Sequence, residues 1–184
     1  MRCLGCNEPA GEAGVCTSCD VVYERAWCVG ERSGVLQRLV GDFKFQNMYA
    51  AYRPLSALLI DRIDQLPADT IIVPIPTVAS HIRERGYDHI HLLAKQVTRH
   101  YRLRTKRILL RISSTTQRGA SRAQRIEQAK MAFKVAGSLD PTVPYLLIDD
   151  VVTTGATIKY AAESLRQAGA AQIWVAVIAR QPLD

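Results

Sequence analysis

Leu146-Leu147-Ile148-Asp149-Asp150-Val151-Val152-Thr153-Thr154-Gly155-Ala156-Thr157-Ile158 decides the fold of this chain. Its first residues are apolar, some are β-branched, and Pro144 precedes them, as expected of a buried parallel strand. Two acidic residues end the run. A small, hydroxyl-rich turn around Gly155 follows, then a helix-compatible stretch from Ala156 to Ala168. In the order strand, turn, helix, the free N–H groups of the helix start converge beside the carboxyl end of the strand. Backbone donors and the helix dipole together favour a phosphate there, and ligands of open α/β sheets bind at that same end. Two adjacent carboxylates would repel a bare phosphate. They suit a ligand that also brings hydroxyl donors and a divalent cation, and a sugar phosphate fits that description. A plain helix cap needs one acidic or hydroxyl residue, whereas Asp149 and Asp150 are followed by Thr153, Thr154, Gly155 and Thr157.

The apolar strand, Asp-Asp and Thr-Thr-Gly-Ala-Thr closely resemble the ribose-phosphate motif of the type I phosphoribosyltransferases. The resemblance implies that Asp149 and Asp150, the candidate catalytic pair, accept hydrogen bonds from the ribose hydroxyls of phosphoribosyl pyrophosphate. It also implies that Val151, Thr153, Thr154, Gly155, Ala156 and Thr157 belong to the binding site, the last five wrapping the 5′-phosphate.

A chain of 184 residues accommodates one domain of ordinary size and a small appendage. An apolar content of 48% is enough for a core. No run reaches the ~18 uninterrupted apolar residues of a membrane span, and the first residues carry no apolar signal region, so a soluble, cytoplasmic protein without membrane insertion is expected. The net charge of +7 is uneven. Between His81 and Arg125 twelve Lys and Arg face only Glu84 and Asp88, a local excess of ten that leaves the rest of the chain at −3. A local basic surface suits a polyanion such as pyrophosphate, a nucleotide or nucleic acid; a solvated helix face is the alternative.

Four of the five cysteines form Cys3-x-x-Cys6 and Cys16-x-x-Cys19. Each pair can place two thiolates on one metal, and two pairs give the tetrahedral sulfur set that suits zinc. Gly5, Gly11, Gly14 and Asn7 supply the tight turns. The segment has too few apolar residues to fold alone, and structural zinc contributes about 10–16 kcal/mol in finger peptides. Disulfides are disfavoured in a cytoplasmic chain. Four protein ligands close the site, so its Zn²⁺ is expected to be structural.

Between these ends, Ser33 can cap a helix through Leu36, Leu39 and Val40, and Tyr49 to Ile63 reads as a second helix with Pro54 early in it. Thr70 to Val73 reads as a strand running into Pro74-Ile75-Pro76. Arg83, Arg85 and Gly86 then sit in a polar loop, and Asp88 caps a helix with Ile90, Leu93, Val97 and Tyr101 inside. Ile108–Leu110, Met131–Val135 and Ile173–Ile178 are further strands. Ser113 to Gln128 is polar, basic and suited to a mobile loop. His81, His89, His91 and His100 read as surface or interface residues. Alternating strands and helices argue for an α/β fold, a mostly parallel sheet flanked by helices on both faces.

The order of parts resembles the ComF family of phosphoribosyltransferase-like proteins. The resemblance is carried by Val73-Pro74-Ile75-Pro76, Arg83-Glu84-Arg85-Gly86-Tyr87-Asp88-His89, Leu92-Leu93-Ala94-Lys95, Gln117, Arg125, Phe133 and the four-cysteine segment. Ser114, Ala120, Gln128 and Asp88-His89 depart from the residues common in that family. The resemblance implies a zinc-binding segment over residues 1–28 and a type I phosphoribosyltransferase-like domain over 29–184, with a helical hood at 33–63. It implies a pyrophosphate loop from Pro76 to Ser80, including Thr77, with Arg83 and Arg85 as cationic clamps. It implies a lid at 113–128 that closes Arg118, Arg122 or Arg125 over the ligand, and Mg²⁺ bridging pyrophosphate and ribose oxygens. The family is associated with DNA uptake in natural transformation, so single-stranded DNA and proteins of the competence machinery are the expected partners. Phosphates would meet the basic segment, and Tyr87 or Tyr101 would stack on bases, although the sequence shows no aromatic cluster of the kind single-strand platforms use. The alternative is an active phosphoribosyltransferase of nucleotide salvage or related metabolism, acting on an unknown acceptor.

Overall fold

The apolar run before Asp149 lies at the centre of the molecule because its strand has a neighbour on each side and a core on each face. In the computed structural model, residues 2–6, 8–45, 48–112 and 132–182 are described. The elements are β1 (Arg25–Glu31), α1 (Gly34–Phe45), a 3-10 turn (Tyr49–Ala51), α2 (Tyr52–Arg62), β2 (Ile71–Pro74), α3 (Ala79–Arg85) and α4 (His89–Tyr101). After them come β3 (Arg104–Thr105), β4 (Leu109–Arg111), β5 (Phe133–Val135), β6 (Pro144–Val152), α5 (Ala156–Gln167) and β7 (Gln172–Arg180). Five strands form a parallel sheet in the order β1-β7-β6-β2-β3. β4 and β5 pair antiparallel as a separate ribbon. The expected loop 113–128, with Gln117, Arg118, Arg122 and Arg125, lies outside the described residues.

Side chains alternate across β6 with the period of a strand. Tyr145 and Leu147 enter one core with Ile158, Ala161 and Leu165 of α5 and with Leu4 and Tyr23 of the N-terminal segment. Leu146 and Ile148 enter the other, with Phe43 of α1, Leu55 and Leu59 of α2 and Leu93 and Val97 of α4. The sheet therefore carries helices on both faces, as its unbroken apolar strands require.

The structure departs from the sequence reading in three places. Arg25–Glu31 is a strand, paired with β7 from Arg25↔Trp174 to Glu31↔Arg180, so the expected division after residue 28 falls inside β1. Among the described residues its strand partner comes from the far end of the chain, and Trp27 is fixed there by an edge-on contact with Trp174 at 6.0 Å and a hydrogen bond from Nε1 to Asp64 at 3.1 Å. Arg83 and Arg85 lie on α3 instead of in a loop; the helix is seven residues long and stops at Gly86 with φ 79°, too short to show a period. His89 is 4% exposed and belongs to the interior.

Gly169, between α5 and β7, has φ 110°, and a Cβ added there would stand 2.9 Å from Leu139 O. Gly169→Ala should therefore lower stability by about 1–3 kcal/mol, visible as an earlier midpoint in denaturant with the m-value unchanged.

Candidate functional site

From β2 the chain passes through α3 and α4 to β3 on one side of the sheet, and from β6 through α5 to β7 on the other. The crevice between the carboxyl ends of β2 and β6 is thus the switch point at which open α/β sheets take their ligands. A cleft of about 250 Å³ opens there, between Pro76 and Thr77 after β2 and Asp149, Asp150, Val151 and Thr157 at and after β6. Lys44 and Phe45 of α1, His81 and Arg85 of α3, His89 of α4 and Arg111 of β4 complete its wall. A larger, mainly apolar cavity of about 460 Å³ runs along the other side of Pro76–Val78 against β4, but neither member of the acidic pair lines it.

The two carboxylates are not equivalent, and the strand period explains why. Asp150 follows Leu146 and Ile148 onto the face covered by α1, α2 and α4, where it is 4% exposed. Its Oδ2 meets Lys44 Nζ at 2.9 Å and His89 Nε2 at 2.5 Å, and its Oδ1 accepts the Val151 N–H at 2.6 Å. Arg85 stands behind His89, with Nη1 2.5 Å from His89 Nδ1, and its Nε donates to Lys44 O at 2.5 Å. A guanidinium can only donate, so Nδ1 accepts and Nε2 carries the proton given to Asp150. Lys44, Arg85, His89 and Asp150 close a ring of contacts through α1, α3, α4 and β6. Burial disfavours the ionised form of Asp150, yet the His89 hydrogen bond and the Lys44 charge outweigh it and hold the carboxyl below its ordinary range. Asp149 is only partly buried, and its Oδ1 accepts the Asp150 N–H at 2.9 Å. Burial, and then the charge of Asp150, push its carboxyl above the ordinary range. Asp149 is the member of the pair with acceptor capacity left for a ligand.

Beyond the pair, the turn reaches Gly155 at φ 76°, in the left-handed region that glycine adopts without strain, and α5 starts at Ala156. Thr153, Thr154 and Thr157 are exposed around this helix start, whose first amides have no carbonyl partners within the helix. The N-terminal segment packs against the turn. Leu4 O lies 3.6 Å from where a Gly155 Cβ would be, and Gly5, Cys19 and Tyr23 share a cavity of about 290 Å³ with Thr154, Gly155, Ala156 and Lys159. Arg180 of β7 ties the segment down by donating from Nη1 to Cys3 O at 3.2 Å.

Cys3, Cys6, Cys16 and Cys19 are free thiols whose sulfurs all lie within 4.8 Å of one another. Cys3 Sγ and Cys19 Sγ are 3.6 Å apart, and Cys6 Sγ and Cys16 Sγ 3.4 Å. A tetrahedron with Zn–S near 2.3 Å has edges of about 3.8 Å, so the set fits a zinc ion and no disulfide is formed among them. The Gly5 N–H points at Cys3 Sγ at 3.4 Å. A Cβ on Gly5 would come within 2.9 Å of Val21 Cγ1 and 3.2 Å of Cys19 Sγ, so glycine is required at that turn.

The sequence-derived candidates are thus divided. Asp149, Asp150, Val151, Thr157, Pro76, Thr77 and Arg85 line the cleft, while Thr154, Gly155 and Ala156 line the neighbouring cavity. Arg85 reaches the cleft as part of the ring around Asp150, 9% exposed; Arg83 is exposed on α3 and does not line the cleft. Lys44, His81, His89 and Arg111 are additions. Lys44 stands between two phenylalanines in the sequence, which marks a helix end but not its ion pair.

No protein-family model matches the chain. Competence protein F of Haemophilus influenzae is 32% identical to it, over 93% of this chain and 79% of that protein. Competence protein ComFC of Bacillus subtilis is 24% identical over 92% of this chain and 73% of its own length. DNA utilization protein YhgH of Escherichia coli K12 is 26% identical over 94% and 82%. A solved structure described as the allosteric regulatory enzyme of purine biosynthesis superposes with a TM-score of 0.48 at 17% identity, covering 68% of this chain and 25% of the other. A likeness that loose carries no argument.

Two outcomes are expected from this geometry. His89→Ala leaves the buried charge of Asp150 short of a donor and Arg85 without its partner, and should cost about 1–3 kcal/mol in chemical denaturation, with His89→Gln milder. Cys16→Ser should reduce the zinc recovered with the purified protein, read by atomic absorption, and lower the melting temperature.

Proposed function

The chain belongs to the ComF family of competence proteins, and on that premise we propose that it binds phosphoribosyl pyrophosphate with Mg²⁺ in the acidic cleft and serves DNA uptake through contact with single-stranded DNA in the cytoplasm. The observation that carries the sugar-phosphate reading is the crevice itself, with an acidic pair and a glycine-opened helix start on one lip and Pro76 and Thr77 on the other. A ribose needs hydroxyl acceptors, and Asp149 offers them. A 5′-phosphate needs donors and no nearby carboxylate, and the amides of Thr154 to Thr157 offer those. A pyrophosphate needs cations, and Arg111, whose Nη1 donates to Pro76 O at 3.4 Å, stands beside that loop. Mg²⁺ would neutralise the pyrophosphate while keeping much of its own water. In the four-cysteine cluster a structural Zn²⁺ would hold the segment that backs the phosphate turn.

The DNA reading rests on the names of the relatives and on charge. Arg83, Lys95, Arg99, Arg102, Arg104, Lys106, Arg107 and Arg111 are all exposed, and exposed cations attract a phosphate backbone. Proteins of the competence machinery are the natural further partners. No helix among the described residues is long and apolar enough to cross a membrane.

A second reading, transfer of the phosphoribosyl group to an acceptor, is favoured by Asp149 keeping an open face to the cleft. In that reaction the bond from C1′ to pyrophosphate breaks as a nucleophile attacks, and the protein's part is to orient the ribose, stabilise the leaving group and exclude water.

Calorimetric titration of phosphoribosyl pyrophosphate, with and without Mg²⁺, tests the proposal. Asp149→Asn/Asp150→Asn should weaken Mg²⁺-dependent binding by at least ~10-fold, since Asp149 loses the charge it offers the ligand and Asp150 the charge that holds Lys44 and His89 at the cleft, with circular dichroism confirming the fold. The ligand selects ionised Asp149, whose carboxyl is held above its ordinary range; wild-type affinity should therefore rise as pH goes from about 5 to about 8. A wild-type protein that binds no phosphoribosyl pyrophosphate under any of these conditions would sink the reading.

A further inference from the structure

We infer that the end of α1 and the start of α2 form a base-stacking platform for single-stranded DNA, continuous with the cationic side of the acidic cleft. The inference rests on the DNA reading above and adds to it a place and a mode of contact. Phe45 is 71% exposed, Met48 47% and Tyr49 50%. A phenylalanine ring stabilises a fold through the area it buries, so a ring left this open contributes little to it.

The rings behind it are braced against one another. Tyr49 meets Tyr52 edge-on at 5.2 Å and Tyr87 at 5.4 Å, and Tyr87 lies over Phe43 at 5.7 Å with its hydroxyl donating to Phe43 O at 2.6 Å. Phe43, Phe45, Tyr49 and Tyr52 fall within ten residues of sequence, and the fold adds Tyr87 from the loop before α4 to join them into a cluster. Tyr101, the other ring expected to stack, is tied to α2, its hydroxyl donating to Ile63 O at 2.9 Å with Ile60 O also in reach at 3.1 Å.

Charge decides the kind of partner. Arg53 is exposed and sits 5.9 Å over the Tyr52 ring, and Phe45 shares the cleft with Lys44, His81 and Arg111. The acid beneath, Asp150, is paired with Lys44 and His89, and Asp42 on α1 is half-buried. Rings with open faces beside cations match a chain that alternates π-faces with phosphates. Stacking on such rings contributes about 1–3 kcal/mol per base and tolerates any sequence. An all-apolar protein partner would gain nothing from the neighbouring guanidinium and ammonium groups.

The test is fluorescence anisotropy of the full-length, zinc-loaded protein with an oligothymidylate and with an abasic deoxyribose-phosphate strand of equal length, across a salt series. Phe45→Ala/Tyr49→Ala should weaken oligothymidylate binding by about 10- to 100-fold. The abasic strand should bind as to wild type, and the salt slope should not change, because no phosphate contact is lost. Phe45→Tyr/Tyr49→Phe should restore binding, which separates ring loss from misfolding. Unchanged oligothymidylate binding in the alanine variant overturns the platform, as does an equal loss on both strands. Failure of wild type to bind either strand overturns the DNA reading and the platform together, and leaves the calorimetric test of the sugar-phosphate site standing.

Discussion

A carboxylate taken out of water must find compensating charge, and the site is organised around how Asp150 finds it. The strand period turns Asp150 toward the helical layer, and that layer answers with a lysine from α1 and a histidine from α4, the histidine backed by Arg85 of α3. Removing one partner from such a group is costly, because the remainder stays buried and unpaired. Three helices of separate origin are thereby fixed at the mouth of the cleft. The outcome is a division between adjacent, chemically identical residues, one committed to the architecture and one open to the cleft.

On the opposite face the constraint is steric. Glycine at 155 permits the left-handed turn that opens α5, and the absence of a side chain there lets the carbonyl of Leu4 approach. Leu4 and the neighbouring Cys3 are buried, so the cysteine segment is part of the wall of the domain and not an attachment to it. Whatever orders the four thiolates also orders the backing of the turn that opens α5.

Much of this was legible from the residues. Leu146 to Ile158 encodes strand, turn and helix within one local stretch, and Asp88 announces its cap, confirmed by the His91 N–H at 3.1 Å from Asp88 Oδ1. The paired cysteines needed only their spacing. Illegible parts depend on neighbours distant in sequence. The apolar run of β1 is only Ala26 to Val29, and it is a strand because β7 lies alongside. His89 looks like any helix-start histidine until Arg85 and Asp150 enclose it. Lys44 and the rings from Phe43 to Tyr52 acquire their roles only when α1 folds over the cleft.

The pairing of Arg25 with Trp174 also bears on how the protein is made. A ribosome delivers β1 early and β7 late, so the first strand must wait, with its edge unsatisfied, for nearly the whole chain to appear. Contacts of such long range slow folding and leave strand edges open to wrong partners. The four cysteines all lie between residues 3 and 19, so every candidate ligand of that cluster is delivered before β1. A metal bound there would tie those residues together before the strand that follows them finds its partner.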